Sequence, residues 1–329
     1  MSGPVRIGLL GASRIAPTAV ITPARDNPNF VVTAVAARDV ERARAYAAEH
    51  AIAGVEADYA ALVRRDDLDL IYNALPPAAH KDWTIAALEA GKAVLCEKPF
   101  AKDAGEARAM VQAAHDTGRL LLEAFHYRFH NVMRAAVALA REGALGELHS
   151  AAAIFEVPIL RTPGELRWRA DQGGGALMDL GTYTVHAVRS VVGAEPRVVA
   201  AEAVFEHGVD AATRARLEFP NGVTGEVACS MTAAAPRATL SVAGSRGFLE
   251  IVNFLAPQLG CRFTTVIDGQ SRQHGADGPS TYAAQLIHLH EVMTGAVQPL
   301  TGGADAIANM AVIDAIYEAA GRSLVPPSP

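Results

Sequence analysis

The stretch Val5-Arg6-Ile7-Gly8-Leu9-Leu10-Gly11-Ala12-Ser13-Arg14-Ile15-Ala16 decides the fold. It begins with a short apolar run that suits a buried strand, and a glycine follows at once. Gly11, Ser13 and Ala16 have the spacing of a dinucleotide-binding loop, whose first residue permits a tight turn and whose last permits close helix–strand packing. Ser13 stands where that loop usually has its middle glycine, so an ordinary strand–helix turn is the alternative.

The rest of the first third of the chain supports the nucleotide-binding interpretation. Apolar runs alternate there with stretches of helical periodicity, and such alternation predicts a parallel sheet covered on both faces. We therefore predict the α/β fold class, with a doubly wound Rossmann sheet in an NAD(P)-binding domain of residues 1–123. The predicted strands are 5–10, 30–36, 70–74, 93–96 and 120–124, and the predicted helices are 40–49, 59–65, 81–90 and 104–117.

The pattern changes after residue 124. Pro220-Asn221-Gly222 lies between two strand-like runs and indicates a β-hairpin. We predict a C-terminal α+β domain over residues 124–329, built on a mostly antiparallel sheet, which can supply the substrate site. Its predicted helices are 131–142, 174–192, 282–293 and 304–320, and its predicted strands, in a region reaching residue 274, are 198–206, 215–219, 223–231, 238–243 and 248–251.

Composition excludes several classes of protein. The 329 residues carry a formal net charge of −6, which gives no reason to expect nucleic acid or an acidic membrane as a partner. No apolar run approaches the roughly 20 residues that span a bilayer, and the N-terminus lacks the pattern of a signal peptide. The three cysteines, Cys96, Cys229 and Cys261, are far apart and odd in number, so we expect neither a disulfide framework nor a cysteine metal site. We expect the protein to work in the reducing cytoplasm.

The end of the second predicted strand bears on the cofactor. NAD enzymes usually place an acidic residue there to bind the ribose hydroxyls, whereas this chain has Ala37 followed by Arg38. A guanidinium can pair with a 2′-phosphate, and Asp39 is well placed to cap the helix that follows. We predict NADP(H) as the preferred cofactor. NAD(H) is the alternative if Asp39 reaches the ribose and Arg38 is only a solvated surface group.

Two further segments carry candidate catalytic groups. Lys98, in Glu97-Lys98-Pro99, follows a buried strand, where a doubly wound fold binds its ligands, and it can hold positive charge near a developing alkoxide. The peptide bond between Lys98 and Pro99 can be cis at modest cost, because it precedes a proline. Asp179 and Tyr183 are spaced i,i+4, so a helix would present both on one face.

Tyr183 is the candidate for proton transfer. It could act as general acid in carbonyl reduction and as general base in alcohol oxidation. A phenol has a pKa of ~10, and a nearby ammonium such as that of Lys98 would lower it. Asp179 could bind Lys98 or a substrate hydroxyl. His186 lies one turn further on, but a lone histidine on an apolar helix is more often structural, and we leave it outside the catalytic set.

Together with the N-terminal loop, Glu97-Lys98-Pro99 and the stretch from Gly173 to Tyr183 resemble the glucose-fructose oxidoreductase, inositol dehydrogenase and rhizopine catabolism family. The resemblance covers essentially the whole chain. Many members have histidine where this chain has Tyr183, and the tyrosine resembles the branch of dimeric dihydrodiol dehydrogenases and D-xylose dehydrogenases. That branch is typically NADP-linked, which agrees with Arg38.

The resemblance implies further site residues, each of which also has a plain packing explanation. It places Leu75, Pro76 and His80 near the nicotinamide, and Trp168 with Arg169 near cofactor and substrate. Substrate binding is implied for Lys98, Arg128, Asp179, Tyr183 and Tyr282, and no metal ligand is expected. The full set of predicted cofactor-binding residues is Gly11, Ser13, Arg14, Ile15, Arg38, Leu75, Pro76, His80, Glu97, Lys98, Trp168 and Arg169.

We therefore predict an NADP(H)-dependent oxidoreductase that acts on a small sugar, cyclitol or vicinal diol. The resemblance also implies a homodimer or homotetramer formed through the C-terminal sheet. Three alternatives stay open: an NAD-dependent inositol or sugar dehydrogenase, a non-catalytic cofactor-binding regulator, and a nucleotide-sugar ketoreductase. The last would need extra basic residues, for which Arg161, Arg167 and Arg169 are available.

Overall fold

The computed structural model describes residues 3–321. These residues form two compact units. Unit 1 contains the chain up to His126 together with Tyr282–Ile307, and unit 2 contains Tyr127–Thr281 together with the residues from Ala308 onward. The two predicted ranges, 1–123 and 124–329, are contiguous in sequence, whereas these units interleave. The functions predicted for the two ranges stay predictions.

Unit 1 has the predicted doubly wound parallel sheet. Within the described residues the sheet has six strands in the order β3-β2-β1-β4-β5-β6, and all neighbouring pairs are parallel. The strands are β1 Val5–Leu10, β2 Phe30–Ala36, β3 Gly54–Glu56, β4 Leu70–Asn73, β5 Ala93–Cys96 and β6 Leu121–Glu123. The helices are α1 Thr22–Arg25, α2 Val40–Glu49, α3 Tyr59–Val63, α4 His80–Glu89 and α5 Ala104–Thr117, and a π-helical turn, Pro17–Ile21, leads into α1.

Local sequence explains why these helices begin where they do. Asp39, Asp58 and Asp103 each stand just before a helix, and each side chain accepts a hydrogen bond from a backbone N–H of the first turn. Such caps satisfy donors that have no partner within the helix. The side chains of β1, β4 and β5 are almost wholly buried, as expected of strands covered on both faces.

Unit 2 is built on the predicted, mostly antiparallel sheet. The described residues give it eight strands in the order β14-β13-β12-β11-β7-β10-β9-β8, and β7 with β10 is its parallel pair. The chain forms α6 Asn131–Arg141, β7 Leu148–Glu156, α7 Thr182–Val192, β8 Arg197–Glu206, β9 Val209–Glu218, β10 Thr224–Ser230, β11 Arg237–Gly244, β12 Gly247–Val252, β13 Arg262–Ile267 and β14 Gln270–His274. The last two helices are α8 Thr281–Met293, which belongs almost entirely to unit 1, and α9 Ala304–Ala319.

The predicted hairpin at Pro220-Asn221-Gly222 is confirmed. It joins the antiparallel strands β9 and β10, and Gly222 has a φ of +80°, which glycine adopts most easily. Four strands, β3, β7, β13 and β14, were not predicted individually, although β13 and β14 lie in the strand-like region predicted to reach residue 274. β3 has three residues, too few to show a period, and β7 is rich in alanine, which has little β propensity.

The helix predicted over residues 174–192 needs a correction. It begins at Leu177, and its first turn, Leu177–Gly181, is π-helical; α-helical geometry starts only at Thr182. Single π-helical turns within helices are rare and frequently lie at functional sites. Asp179 belongs to this turn, whereas Tyr183 lies in α7. No helix within residues 3–321 is long and apolar enough to cross a membrane.

Candidate active site

The loop after β1 has the geometry of a phosphate-binding turn. Gly11 has a φ of +96°, and its N–H donates to the carbonyl oxygen of Ala36 at 2.9 Å. A Cβ on Gly11 would lie 3.1 Å from Leu75 Cδ2, so the position favours glycine for two reasons. The Ser13 hydroxyl oxygen accepts a hydrogen bond from the N–H of Ala16 at 3.2 Å. Ser13 therefore braces the turn and keeps its own hydroxyl proton available.

Helix α2 holds this loop from one side. Arg42 donates from Nη2 to the carbonyl oxygen of Ala12 at 2.7 Å, and the Tyr46 hydroxyl donates to the carbonyl oxygen of Ser13 at 2.9 Å. Burial raises the pKa of Tyr46 to about 12, which keeps the phenol a donor. Neither residue was predicted, although Arg42 lies in the first turn of the predicted helix 40–49, close to Arg38, and could have been found from that position.

The loop fits the pyrophosphate of a dinucleotide. The N–H groups of Ala12 and Ser13 donate no hydrogen bond to any part of the chain that the structure describes. Both carbonyl oxygens of these residues are engaged by α2, which leaves the donors as the available groups. Free backbone N–H groups at a glycine turn that precedes a helix form a binding site for anions.

Arg38 follows β2 and is exposed. Among residues 3–321 its guanidinium has no hydrogen bond or ion pair, although the Tyr59 hydroxyl bonds to its backbone. Asp39 is exposed too, but its Oδ1 caps α2 by accepting from the N–H groups of Glu41 at 2.9 Å and Arg42 at 3.3 Å. Of these two neighbours, Arg38 therefore has the charged group that is available to a ligand.

Lys98 lies at the carboxyl edge of the same sheet, directly after β5. It is half-buried, and the Lys98–Pro99 peptide bond is cis. The preceding carboxylate of Glu97 is buried, accepting from the Tyr72 hydroxyl at 2.6 Å through Oε1 and from the N–H of Lys98 at 3.3 Å through Oε2. Glu97 thus bonds the lysine's own backbone, and Tyr72 on β4 fixes Glu97.

Two stacked aromatic side chains lie near Glu97 and Lys98 within unit 1. The rings of His126 and Tyr282 are stacked, with centroids 4.1 Å apart. Burial, and secondarily the positive charge of Lys98, lower the pKa of His126 to about 3. Burial, and secondarily the charge of Glu97, raise the pKa of Tyr282 above its ordinary value. Tyr282 was predicted to face substrate, and Tyr72 and His126 are further members of the cluster.

His80 connects two loops rather than presenting its ring nitrogens to a ligand. The imidazole is completely buried; Nε2 lies 2.7 Å from the carbonyl oxygen of Leu75, and Nδ1 lies 3.0 Å from that of Pro99. Burial lowers the pKa of His80. His80 therefore fixes the loop that contains Leu75 and Pro76 to the segment that follows Lys98. His80, which was predicted to bind the cofactor, would therefore act on it indirectly, by positioning these two loops.

The predicted catalytic carboxylate of unit 2 is held by an arginine. Arg167 donates from Nε to Asp179 Oδ2 at 2.6 Å and from Nη1 to Glu165 Oε1 at 3.0 Å. The charge of Asp179 raises the pKa of Arg167. A Cβ on Gly174 would lie 2.6 to 2.8 Å from the carbonyl oxygens of residues 166, 167 and 169. Only glycine allows the chain to approach Arg167 so closely.

Tyr183 lies among aromatic rings in unit 2. Its side chain is 6% exposed, and its ring contacts Tyr127 and Phe155 edge to face, with centroids 5.8 Å from each. The Tyr127 hydroxyl lies 2.6 Å from Nδ1 of His186, which is buried. His186 therefore has the structural setting that the sequence indicated. Tyr127, which bridges Tyr183 and His186, was not predicted.

The remaining predicted residues of unit 2 are more exposed. Trp168 is half-buried, donates from Nε1 to the carbonyl oxygen of Ile159 at 3.1 Å, and has the Arg161 guanidinium 4.3 Å above its ring. Arg169 is exposed and pairs with Asp171 at 2.5 Å. Arg128 is half-buried. Within the described residues no group of histidine, cysteine, aspartate and glutamate side chains could hold a metal ion.

Comparisons with known proteins agree with this geometry. Residues 5–125 match the family model of the oxidoreductase family with an NAD-binding Rossmann fold, and residues 133–250 match that of the GFO/IDH/MocA C-terminal domain. The chain is 33% identical over 317 residues to the D-xylose 1-dehydrogenase (NADP(+)) 2 of Haloferax volcanii, covering 95% of this chain and 96% of that protein. It is 35% identical over 257 residues to mouse trans-1,2-dihydrobenzene-1,2-diol dehydrogenase, covering 77% and 76% respectively.

The solved structures show the same relationship. A 3-ketoreductase from Actinomadura kijaniata, crystallised with NADP and TDP-benzene, superposes with a TM-score of 0.87 at 29% identity, over 96% of this chain and 97% of that one. The resemblance inferred from the sequence motifs is confirmed, and so is the assignment to the dehydrogenases and reductases. This chain belongs to the GFO/IDH/MocA family of NAD(P)-binding oxidoreductases.

Proposed function

We propose that this chain transfers a hydride between NADP(H) and a carbon that bears a hydroxyl group in a sugar, cyclitol or vicinal diol. The observation that carries the proposal is the setting of Lys98. It is a half-buried ammonium at the carboxyl edge of a Rossmann sheet, in a cluster with Glu97, His126 and Tyr282. Doubly wound folds bind their ligands at this edge.

Each predicted group has a role that fits its surroundings. The nicotinamide, when bound, supplies or accepts the hydride. Lys98 donates a hydrogen bond to the reacting oxygen and stabilises the negative charge that develops there. Tyr183 transfers the proton, and the aromatic rings around it exclude water from the phenol. Asp179, fixed by Arg167, accepts a hydrogen bond from a substrate hydroxyl.

The preference for NADP(H) rests on Arg38. Its guanidinium is exposed at the end of β2, while the neighbouring carboxylate of Asp39 is occupied in capping α2. The Haloferax relative is named for NADP(+), and the Actinomadura structure was solved with NADP. NAD(H) is the alternative. Fluorescence titration of the purified protein with NADPH and NADH distinguishes them: NADPH should bind more tightly, and tighter binding of NADH would contradict the assignment.

Activity assays test the reaction itself. We expect NADP(H)-linked turnover with members of a panel of aldoses, inositols and vicinal diols, assayed in both directions at 340 nm. Lys98→Met should lower kcat at least about 100-fold while leaving the dissociation constant of NADPH within about threefold of wild type, because the ammonium acts on the transition state. Lys102→Met is the matched control, since Lys102 pairs with Glu106 on the same segment and should be dispensable. Unchanged kcat in Lys98→Met would refute the catalytic assignment.

A nucleotide-linked sugar is the less favoured substrate. A ketoreductase for such sugars would need cations for the diphosphate, and Arg161, Arg167 and Arg169 were the candidates. Each already pairs with a carboxylate of unit 2: Glu206, Asp179 and Asp171 respectively. A diphosphate would have to displace these partners.

We also propose that the protein works as a homo-oligomer in the reducing cytoplasm, where its three cysteines stay reduced.

A further inference from the structure

Asp210, the second residue of β9, is a carboxylate with no exposed surface. Three donors surround it. Oδ2 accepts from the N–H of Leu177 and from the Thr213 hydroxyl, each at 2.7 Å, and Oδ1 accepts from the Tyr317 hydroxyl at 2.7 Å. A buried carboxylate is costly unless such bonds replace its hydration. An apolar side chain at this position would avoid that cost but could not accept these three hydrogen bonds, so the reason for the carboxylate lies in what the bonds hold in place.

The backbone that Asp210 bonds is the start of the turn that contains the predicted catalytic carboxylate. Leu177 begins the π-helical turn Leu177–Gly181, and Asp179 lies two residues further along. The N–H of Leu177 is one of the donors that a helix N-terminus leaves without a partner, and a carboxylate there is also favoured by the helix dipole. Asp210 thus anchors the turn from its buried side.

Gly175 sets how closely the turn approaches Asp210. It has a φ of +132°, and a Cβ at this position would overlap Asp210 Oδ1 and would lie 2.9 Å from the Tyr317 hydroxyl. The absence of a side chain lets the backbone lie directly on the carboxylate. The carbonyl oxygen of Gly175 then accepts from the N–H of Asp179 at 3.0 Å, which connects the anchor to the catalytic residue.

The other side of the turn is fixed independently. The N–H groups of Gly174 and Gly175 donate to the carbonyl oxygens of Arg169 and Arg167, at 3.0 and 2.9 Å. The side chain of Arg167 bonds the Asp179 carboxylate itself. The turn is therefore held at two places: Asp210 bonds its backbone at Leu177, and Arg167 bonds its side chain at Asp179. Helix α7, with Tyr183 as its second residue, continues directly from this turn.

We propose that Asp210 is a positioning residue of the active site, which fixes the main chain at Leu177 and thereby sets the places of Asp179 and Tyr183. This inference rests on the proposed function. Displacing a catalytic group by about 1 Å can cost about 100-fold in rate, so loss of the anchor should appear in the chemical step more than in cofactor binding.

The test compares three variants of the full-length protein. Asp210→Ala removes the acceptor, and Asp210→Asn keeps one oxygen for Leu177 and Thr213 and turns an amide toward Tyr317. Leu249→Ala is the matched control, because Leu249 is equally buried on β12 of the same sheet, from which three strands separate β9. For each, we would measure the Tm, the dissociation constant of NADPH, kcat per cofactor-binding site, and the deuterium isotope effect with NADPH labelled at C4.

We expect Asp210→Ala to lower kcat about 10-fold to 100-fold and to raise the isotope effect, with NADPH affinity unchanged. Asp210→Asn should restore most of kcat, and Leu249→Ala should lower the Tm without moving kcat or the isotope effect. If Asp210→Ala does not fold, Thr213→Val, which removes one of the carboxylate's donors, should lower kcat about threefold with a smaller rise in the isotope effect.

Two outcomes would overturn the inference. If Asp210→Ala, or Thr213→Val in its place, lowers the Tm but keeps wild-type kcat and isotope effect, Asp210 serves stability alone. If the wild-type protein binds NADPH but turns over no member of the substrate panel, the proposed function fails and the inference fails with it. The wild-type assay separates the second outcome from the first.

Discussion

Arg38 lies just before helix α2 and Arg42 lies in its first turn, and their surroundings give the two arginines different roles. Arg42 bonds the carbonyl oxygen of Ala12 and so shapes the dinucleotide loop. Arg38 is exposed, and its guanidinium has no hydrogen bond or ion pair among residues 3–321. In the proposed NADP(H) complex this guanidinium would bind the 2′-phosphate, which it can do through two parallel hydrogen bonds.

We expect Arg38→Ala to weaken NADPH binding by about 10-fold to 100-fold, since a charge-assisted hydrogen bond is worth about 1.5–3 kcal/mol. NADH binding should change by less than about twofold, because NADH has no 2′-phosphate. Fluorescence titration with both cofactors checks this. Arg44→Ala is the control, because Arg44 is an exposed arginine of the adjoining helix α2 and pairs with Glu41. Equal loss for NADPH and NADH would show that Arg38 does not discriminate between them.

His126 makes the stability of unit 1 depend on pH. Its pKa of about 3 in the folded protein lies below the ordinary 6.5, so the unfolded chain takes up a proton that the folded chain does not. The free energy of unfolding is therefore full above about pH 6.5 and falls as the pH drops toward 3. The direction follows from the cause, because burial and the nearby Lys98 both disfavour the charged imidazolium.

In His126→Phe, which can keep the ring stack on Tyr282, this dependence should disappear. We expect the decrease in unfolding free energy between about pH 7 and about pH 5 to be about 2 kcal/mol smaller than in wild type. Urea denaturation at the two pH values measures it. His115→Ala, at an exposed position of α5, is the control. An identical pH dependence in wild type and His126→Phe would contradict the low pKa.

Helix α2 illustrates how one element serves both fold and site. Asp39 caps the first turn of the helix. Arg42 and Tyr46, in its first and second turns, bond the carbonyl oxygens of the loop that follows β1. The cap also decides between two interpretations of Asp39. A carboxylate occupied by two backbone N–H groups is a weaker candidate for binding ribose hydroxyls.

Asp39→Ala should lower the free energy of unfolding by about 1 kcal/mol, the usual cost of losing an N-cap. The ratio of NADPH to NADH affinity should stay within about twofold of wild type, because the residue's bonds are to the helix. Thermal denaturation and cofactor titration together check this. Asp58→Ala, which removes the cap of α3, should give the same loss of stability. A large, selective loss of NADH affinity in Asp39→Ala would instead assign Asp39 to the ribose.

The eight-stranded sheet of unit 2 has one covered face and one open face. Helix α7 packs against β7, β10 and β11, and the side chains on that face, such as Ala153 and Val227, are buried. The opposite face includes Ala152, its neighbour Glu226, and Phe248, whose side chain is 43% exposed. An extensive sheet face of this kind is where the predicted homodimer or homotetramer would associate.

We expect light scattering after size exclusion to give a mass at least twice the 34.5 kDa of one chain. Ala152→Glu should shift the population toward the monomer, because its carboxylate would be buried in the interface beside that of Glu226. Gln112→Glu, at an exposed position of α5, should leave the mass unchanged. A wild-type protein that stays monomeric at micromolar concentration would show that the open face is not such an interface.

Sequence reasoning worked best where local pattern and structure coincide. The strands at Val5–Leu10, Phe30–Ala36 and Ala93–Cys96 and the helices at Val40–Glu49 and Ala104–Thr117 have the predicted bounds. An apolar run marks each of these strands, and a capping aspartate marks the start of each helix. It missed strands such as β7, whose alanines acquire their extended shape from pairing with β10 and β11. A strand of low propensity is stabilised by its neighbours, which a single stretch of sequence does not contain.

The sequence by itself determined the α/β class, the family, and the candidate groups Lys98, Asp179 and Tyr183, because short motifs with fixed spacing encode local turns and helix faces. Only the tertiary structure decided which partners these groups have. Arg167 holds Asp179, Tyr72 holds Glu97, and Asp210 holds the turn at Leu177 across 33 residues of sequence. Such hydrogen bonds join side chains that are distant along the chain, and their geometry exists only once the strands have paired.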